Sequence, residues 1–249
     1  MTTVIETPLP NVEDLLPKVE LLEEDGEPLE SSWHRACMNL LIECVEWHLR
    51  GREDFYVGGN QFIYYDEEQA RMLHYRGPDF YFVEGRPHSP PRRYWVVWQE
   101  GGRYPDVIIE LSSPKTTKED HTTKKDIYER VFRTYEYYCY DPDTQKLEGW
   151  RLVDGRYVEL TPDAQGRLEC KKLGLWLGTW KGKYLEQEDI WLRFFDAAGN
   201  VAPIRAEAEH QRAEAERQRA DRAEAELAAL KARLAAMQSG STAAGESPA

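Results

Sequence analysis

Cysteine is scarce in this sequence, and its few copies are widely separated. The four residues, Cys37, Cys44, Cys139 and Cys170, form no C-x-x-C pair. A disulfide framework or a structural zinc site needs cysteines at paired spacings. Neither is therefore indicated, and we expect reduced thiols in a cytoplasmic protein.

Long apolar runs are also missing. No segment approaches the roughly 18 consecutive apolar residues of a membrane span. The N-terminal segment has neither the basic region nor the apolar region of a signal peptide. The sequence therefore predicts a soluble protein without a membrane partner.

Basic residues are in the minority, with 32 Lys and Arg against 45 Asp and Glu. Residues 1–202 hold 25 of the basic and 37 of the acidic residues. A protein that coats DNA without sequence preference needs many Lys or Arg to displace counterions. The charge balance excludes that class, but it allows an enzyme that meets phosphates transiently through a metal ion.

The chain has enough apolar residues for a core, because 41% of its 249 residues are hydrophobic. Residues 1–30 are acidic and contain prolines, which predicts an irregular arm. Residues 31–202 alternate between helical patterns and short segments rich in Val, Ile and aromatics, as strands are. This alternation predicts one α/β or α+β domain with a mixed sheet flanked by helices.

Three local patterns within this domain predict individual elements. Ser31 and Ser32 open a helical pattern that ends at Gly51. A second helical pattern begins at Asp120, and the dipeptide Asp154-Gly155 predicts a hairpin turn.

The segment 203–238 predicts a long helix, because no Gly or Pro interrupts it after Pro203 and AEAEHQR is followed at once by AEAERQR. Only the last two or so heptads have an apolar seam. A two-stranded coiled coil that joins copies of the chain is one interpretation; a solvated single helix held by Glu/Arg pairs is the alternative. Residues 239–249 are expected to be a disordered tail.

The strand pattern after Tyr104 carries two carboxylates, Asp106 and Glu110, among apolar residues. They share one face of the strand but lie about 13 Å apart, too far to hold one metal ion together. A second strand pattern follows Asp79. If the two strands are neighbours, about 4.8 Å apart, Asp79 and Glu110 can bind Mg²⁺ or Mn²⁺.

Such a site has a definite chemistry. A divalent ion makes water nucleophilic and stabilises charge on a phosphodiester. Lysines lie about a dozen residues downstream, and an ammonium group near the attacking water would orient it and offset the developing negative charge.

Several motifs together resemble the PD-(D/E)XK nuclease superfamily and, within it, the Uma-type family of restriction endonucleases. They comprise Gly77-Pro78-Asp79, Pro105-Asp106-Val107-Ile108-Ile109-Glu110, Ser113-Pro114, Asp120 with Lys124 and Tyr128, Glu136-Tyr137-Tyr138, and Asp141-Pro142. The resemblance implies a restriction-endonuclease-like fold and cleavage of DNA with Mg²⁺ or Mn²⁺.

The resemblance also assigns the lysine. In the superfamily the usual lysine follows the second acid by two residues, and Ser112 stands there in this chain. In the Uma-type pattern the lysine is on the following helix, where Lys124 matches it. Helical spacing agrees, because Asp120, Lys124 and Tyr128 share one face. Lys125 points about 100° away.

Each assignment has a structural alternative. Asp79 can cap a turn after Pro78, and Lys124 can lie on a solvated helix face. Glu110 is costly to bury without a partner, which favours function. Asp106 is interpreted as a strand-entry residue.

Three further residues are interpreted structurally. His34 is interpreted as a cap or packing residue, and Glu43 as exposed surface; they lie about 180° apart on one helix and cannot both face a site. Tyr128 is interpreted first as core packing.

The leading hypothesis is an endonuclease with Asp79 and Glu110 as metal ligands and Lys124 near the attacking water. The rival is a non-catalytic interaction protein that keeps a nuclease-like core and oligomerises through its C-terminal helix.

Overall fold

The computed structural model describes residues 31–66, 77–113 and 116–243, with side chains up to residue 233. The predicted acidic arm, residues 1–30, lies outside the described residues. Contacts divide the chain into two compact units, residues 1–202 and 203–249.

The first helix, α1, spans Ser32–His48. The Ser31 side chain accepts a hydrogen bond from the backbone N–H of His34, which satisfies one of the free donors at the helix start. Apolar side chains on one face, Leu40 and Leu41 among them, are fully buried. The helix predicted from the Ser31 signal is confirmed.

Eleven strands follow in the described residues. They are β1 Phe55–Gly58, β2 Ile63–Tyr64, β3 Phe80–Glu84, β4 Trp95–Val96, β5 Val107–Leu111, β6 Glu136–Asp141, β7 Lys146–Val153, β8 Arg156–Glu159, β9 Leu168–Cys170, β10 Leu175–Tyr184 and β11 Gln187–Phe195. The β7–β8 hairpin turns at Asp154 and Gly155, both at positive φ (50° and 80°), as the Asp-Gly signal predicts.

The main sheet has six strands in the order β1-β3-β5-β6-β7-β8. Its neighbours are antiparallel except for β5 and β6, which are parallel. Strands β9, β10 and β11 form an antiparallel sheet, and β2 pairs in parallel with β4. The predicted mixed-sheet α/β fold class is confirmed.

The helical segment between β5 and β6, which we call α2, joins the two parallel strands. It combines α turns at Thr117–Glu119 and Lys125–Ile127 with π turns at Asp120–Lys124 and Tyr128–Phe132. Parallel neighbours need such a crossover, so α2 must pack across the sheet. Tyr128 and Phe132 belong to a buried hydrophobic cluster that also contains Ile108, Tyr137 and Trp150.

A long helix, α3, spans Arg205–Ala243 in the second unit. It includes residues 239–243, for which the sequence predicts a disordered tail; a single Gly240 costs a helix only about 1 kcal/mol and does not end it. Residues 244–249 lie outside the described part. None of the helices that the structure describes is long and apolar enough to cross a membrane.

Candidate active site

Antiparallel pairing of β3 and β5 brings two carboxylates to one end of the sheet. Phe80 pairs with Ile109. Continuing this register by one residue sets Asp79 opposite Glu110. The sheet order places β5 beside β3, so these two strands are neighbours, as the site requires.

The Asp79 carboxylate is held by two elements. Its Oδ2 accepts a hydrogen bond of 2.7 Å from the backbone N–H of Leu111 on β5. Its Oδ1 lies 2.6 Å from Nε2 of His34 on α1. Asp79 therefore bridges the strand and the helix, and its side chain does more than cap the turn after Pro78.

Glu110 is the buried acid of the cluster, with 1% of its surface exposed. Its Oε1 accepts a hydrogen bond of 2.9 Å from the Tyr128 hydroxyl, and its Oε2 lies 3.2 Å from Nζ of Lys124. Burial is the main cause that raises the pKa of Glu110 to about 8; the charges of Asp79 and Asp120 act in the same direction, while Lys124 and the Tyr128 hydrogen bond act against it.

Lys124 points into the same cluster. Its Nζ lies 2.8 Å from Oδ1 of Asp120 as well as 3.2 Å from Glu110. Burial acts to lower the pKa of Lys124, but the charges of Glu110 and Asp120 outweigh it, so the pKa is raised and the ammonium is charged at neutral pH. Lys125 turns away and lies over the Trp150 ring, 3.6 Å from its centroid.

Asp120 completes the cluster and was not assigned a role from the sequence. It is 1% exposed, and its Oδ2 accepts a hydrogen bond of 2.9 Å from the Ser112 hydroxyl. Its backbone carbonyl accepts another from Tyr137, at 2.8 Å. The i,i+4 spacing to Lys124 was the available signal. Ser112 stands at the position where the resemblance places the usual lysine. Its hydroxyl binds Asp120, and Asp120 in turn pairs with Lys124.

Two residues that the sequence interprets structurally, Tyr128 and His34, also contact the cluster. Tyr128 is buried in the core as expected, but its hydroxyl also donates to Glu110. His34 does not merely cap or pack: its ring reaches Asp79, 45 residues away in sequence. No local pattern marks a contact of that range.

The remaining acids lie apart from the cluster. Asp106 accepts a hydrogen bond of 2.8 Å from the backbone N–H of Glu84 and lies 3.1 Å from Nζ of Lys172. These contacts agree with its interpretation as a strand-entry residue. Glu43 is exposed on α1, also as expected.

The donor set of this cluster fits a hard divalent cation that takes two protein ligands. Within residues 31–66, 77–113 and 116–243, no three His, Cys, Asp or Glu side chains lie close enough to hold a metal ion together, so a cation here would have only the two carboxylates as protein ligands. Mg²⁺ in proteins is commonly held by one or two carboxylates, with waters and phosphate oxygens as further ligands. Each carboxylate oxygen of Asp79 and Glu110 has one described partner, and such an oxygen can accept two.

The side chains of the cluster differ in exposure to solvent. Glu110 and Asp120 have side chains that are 2% and 1% exposed, whereas Asp79 and Lys124 are 13% and 16% exposed. Asp79 and Lys124 are therefore the members of the cluster that solvent reaches, and Glu110 and Asp120 are the buried members.

Comparisons with known proteins identify the family of the chain. The chain matches the family model described as "Uma2: Putative restriction endonuclease" over residues 9–178. A crystal structure of "a putative nuclease belonging to DUF820" from Anabaena variabilis is similar, with 14% identity, a TM-score of 0.43, and coverage of 65% of this chain and 88% of that chain. No curated protein matches the chain significantly.

Proposed function

Because the chain belongs to the Uma2 family, we propose that it is a divalent-metal-dependent endonuclease that hydrolyses phosphodiester bonds of DNA. The observation that carries the proposal is the position of Lys124, a charged and mostly buried lysine 3.2 Å from Glu110. Desolvation of a buried ion pair can cost more than the pairing gains, so a role in stability alone does not account for this lysine.

The metal ligands in this proposal are Asp79 and Glu110, and Mg²⁺ or Mn²⁺ is the ion whose preference for carboxylate oxygens matches them. A divalent ion held there would make a water nucleophilic and stabilise charge on the phosphodiester. The protein's own contribution is to fix the two carboxylates: the Leu111 N–H holds Asp79, and the Tyr128 hydroxyl holds Glu110.

Lys124 is the proposed catalytic cation. Its ammonium group can donate to the attacking water and offset negative charge on the phosphate. The second anionic partner, Asp120, keeps the ammonium in place when Glu110 engages a metal ion, because the 2.8 Å contact with Asp120 does not depend on Glu110.

The overall charge fits a substrate that is bound transiently. With 25 basic and 37 acidic residues in 1–202, the first unit repels DNA at long range. Attraction must come from local groups, namely the ion, Lys124 and neighbouring cations such as Lys125, so weak binding of DNA is expected in the absence of a divalent ion.

Cleavage of supercoiled plasmid DNA tests the proposal. The wild-type protein should convert the plasmid to nicked and linear forms with Mg²⁺ or Mn²⁺, and Asp79→Asn should abolish this conversion. Asp106→Asn is the matched control, because Asp106 also follows a proline at a strand entry but binds Glu84 and Lys172 instead. It should cleave like the wild type.

Equal cleavage by the wild type and Asp79→Asn would reject the site. Absence of cleavage by the wild type with either ion would reject the endonuclease and favour a non-catalytic interaction protein.

A further inference from the structure

The side chain of His34 bridges two elements that are far apart in the sequence. It comes from the first turn of α1, and its Nε2 lies 2.6 Å from Oδ1 of Asp79 at the start of β3. A carboxylate can only accept a hydrogen bond, so the ring nitrogen must be the donor. The ring side chain is 10% exposed, which shields this bond from water.

The position of His34 is fixed by three contacts of α1. The backbone N–H of His34 donates to the Ser31 side chain at the helix start. One residue earlier, the Trp33 indole N–H donates to the Ile190 carbonyl of β11, at 3.2 Å. The Trp33 ring also stacks on Trp191, with centroids 5.9 Å apart. The helix start is thereby anchored to a second sheet, so the imidazole has little freedom to move.

The Asp79 carboxylate is consequently held at both oxygens by donors from two different elements. Leu111 N–H on β5 binds Oδ2 and His34 binds Oδ1. Two donors in fixed positions set the rotation of the carboxylate plane. They leave the second lone pair of each oxygen for another ligand.

From this geometry we infer that His34 is a positioning residue: it orients Asp79 for the divalent ion and does not touch the substrate. The inference rests on the proposed function, since it deepens the role of the same site. Groups that hold a metal ligand from behind typically change metal affinity by about 10- to 100-fold when removed.

Two substitutions separate the hydrogen bond from the bulk of the ring. His34→Ala removes the donor, whereas His34→Gln keeps an N–H donor on a side chain of similar reach. His48→Ala is the matched control, because His48 lies on the same helix and its Nε2 contacts the Leu173 carbonyl at 3.0 Å, away from Asp79.

The measurement is a titration of the metal-free full-length proteins with Mn²⁺, in which the electron paramagnetic resonance signal reports free ion, beside the melting temperature without metal. His34→Ala should weaken Mn²⁺ binding at least about tenfold. His34→Gln should recover most of that loss. His48→Ala should bind Mn²⁺ like the wild type, whatever its melting temperature.

Two results would overturn the inference while leaving the proposed function intact. The first is equal Mn²⁺ affinity in His34→Ala and the wild type. The second is a loss in His34→Gln as large as in His34→Ala, since a donor alone would then be insufficient. If Asp79→Asn binds Mn²⁺ as tightly as the wild type, Asp79 is not a ligand, and the proposed site fails together with the inference.

Discussion

Lys124 and Lys125 are adjacent in the sequence and have opposite environments. Lys124 contacts Glu110 and Asp120, whereas Lys125 lies over the Trp150 ring. If Lys124 orients the attacking water, Lys124→Met should keep most of the bulk, remove the charge and lower the cleavage rate by roughly 10²-fold. Single-turnover cleavage at saturating metal measures this loss.

Lys125→Met is the control for that experiment. It removes a charge from the neighbouring position, so it should cost only some attraction to DNA, and this cost should fade as salt is raised. Similar rates for Lys124→Met and the wild type would contradict the assignment, as would a collapse of activity confined to Lys125→Met.

Glu110 allows a test of metal binding that does not depend on cleavage. A ligand that binds only the folded state raises thermal stability by mass action. Mg²⁺ or Mn²⁺ should therefore raise the melting temperature of the wild type, and Glu110→Gln should abolish that increment. Differential scanning calorimetry with and without metal measures it. An unchanged increment in Glu110→Gln would remove Glu110 from the ligand set.

The raised pKa of Glu110 gives metal binding a pH dependence. Because burial raises this pKa to about 8 from its ordinary value of 4.5, the folded protein carries a proton on Glu110 that the ion must displace. The apparent Mn²⁺ affinity should rise by roughly tenfold per pH unit between pH 6 and pH 8, and then level off. An affinity that is flat over this range would contradict the protonated state.

The same shift affects the stability of the metal-free protein. Between about pH 4.5 and pH 8 the folded state binds a proton at Glu110 that the unfolded state has released. The contribution of Glu110 to the free energy of unfolding is therefore full below this window and is lost as the pH rises through it. Lys124 is charged in both states over this window, so it adds no opposing slope.

Sequence reasoning located the acids and the lysine but not their supports. Glu110 was accessible because it stands in a strand pattern, Asp79 because it begins a second Pro-Asp strand pattern, and Lys124 because it matches the family resemblance, with which its helical spacing agrees. The contact of His34 with Asp79 spans 45 residues and depends on how α1 docks, which no local pattern records. The role of the Tyr128 hydroxyl could not be predicted, because the ring of the same side chain fills the core while the hydroxyl donates to Glu110.

At the scale of elements, the β5–α2–β6 crossover positions the site. The crossover carries α2 over the sheet face on which Glu110 lies, so a lysine on the helix can reach an acid on the strand. The sequence predicted a helix here but not its π turns, which are frequent at functional sites. Residues four apart remain on one side of the helix at this turn, and Asp120 and Lys124 therefore meet.

The end of α2 shows where periodicity misleads. Helical composition continues past Phe132, but Arg133 adopts a left-handed conformation (φ 53°) and β6 begins at Glu136. The carboxylate of Glu136 is buried and accepts hydrogen bonds from Arg151. The aromatics Tyr137, Tyr138 and Tyr140 favour a strand locally, and pairing with β5 and β7 completes it.

The long helix α3 remains a proposed assembly element. Arg205 and Arg212 pair with Glu209 and Glu216 along its surface, while Leu227 and Leu230 are 52% and 61% exposed. If a second copy covers these leucines, deleting residues 205–249 should reduce the oligomer to monomers and leave the first unit folded. Light scattering measures the mass, and circular dichroism the fold.

Two results would contradict a role of α3 in assembly. An unchanged number of protomers per particle after the deletion would show that another surface joins the copies. A monomeric full-length protein would identify α3 as a solvated helix stabilised by its own Glu/Arg pairs.

For the whole molecule, the order of helical and strand patterns predicts the fold class, and the net negative charge excludes a protein that coats DNA without sequence preference. A mixed sheet was predictable because helical and strand patterns alternate along residues 31–202. The strand order was not, since it depends on pairings between distant segments such as β3 with β5. The acidic surface predicts that DNA binding without a divalent ion is weak and that cleavage slows as salt screens the few local cations.

We propose that this acidic protein becomes a nuclease only when a divalent ion occupies the Asp79 and Glu110 carboxylates. The decisive experiment incubates the full-length protein with supercoiled DNA, first in EDTA and then after addition of excess Mg²⁺ or Mn²⁺. We expect intact plasmid in EDTA, and nicked and linear DNA after either ion is added. Cleavage that is equally fast in EDTA, or a plasmid that stays supercoiled with both ions, would contradict it.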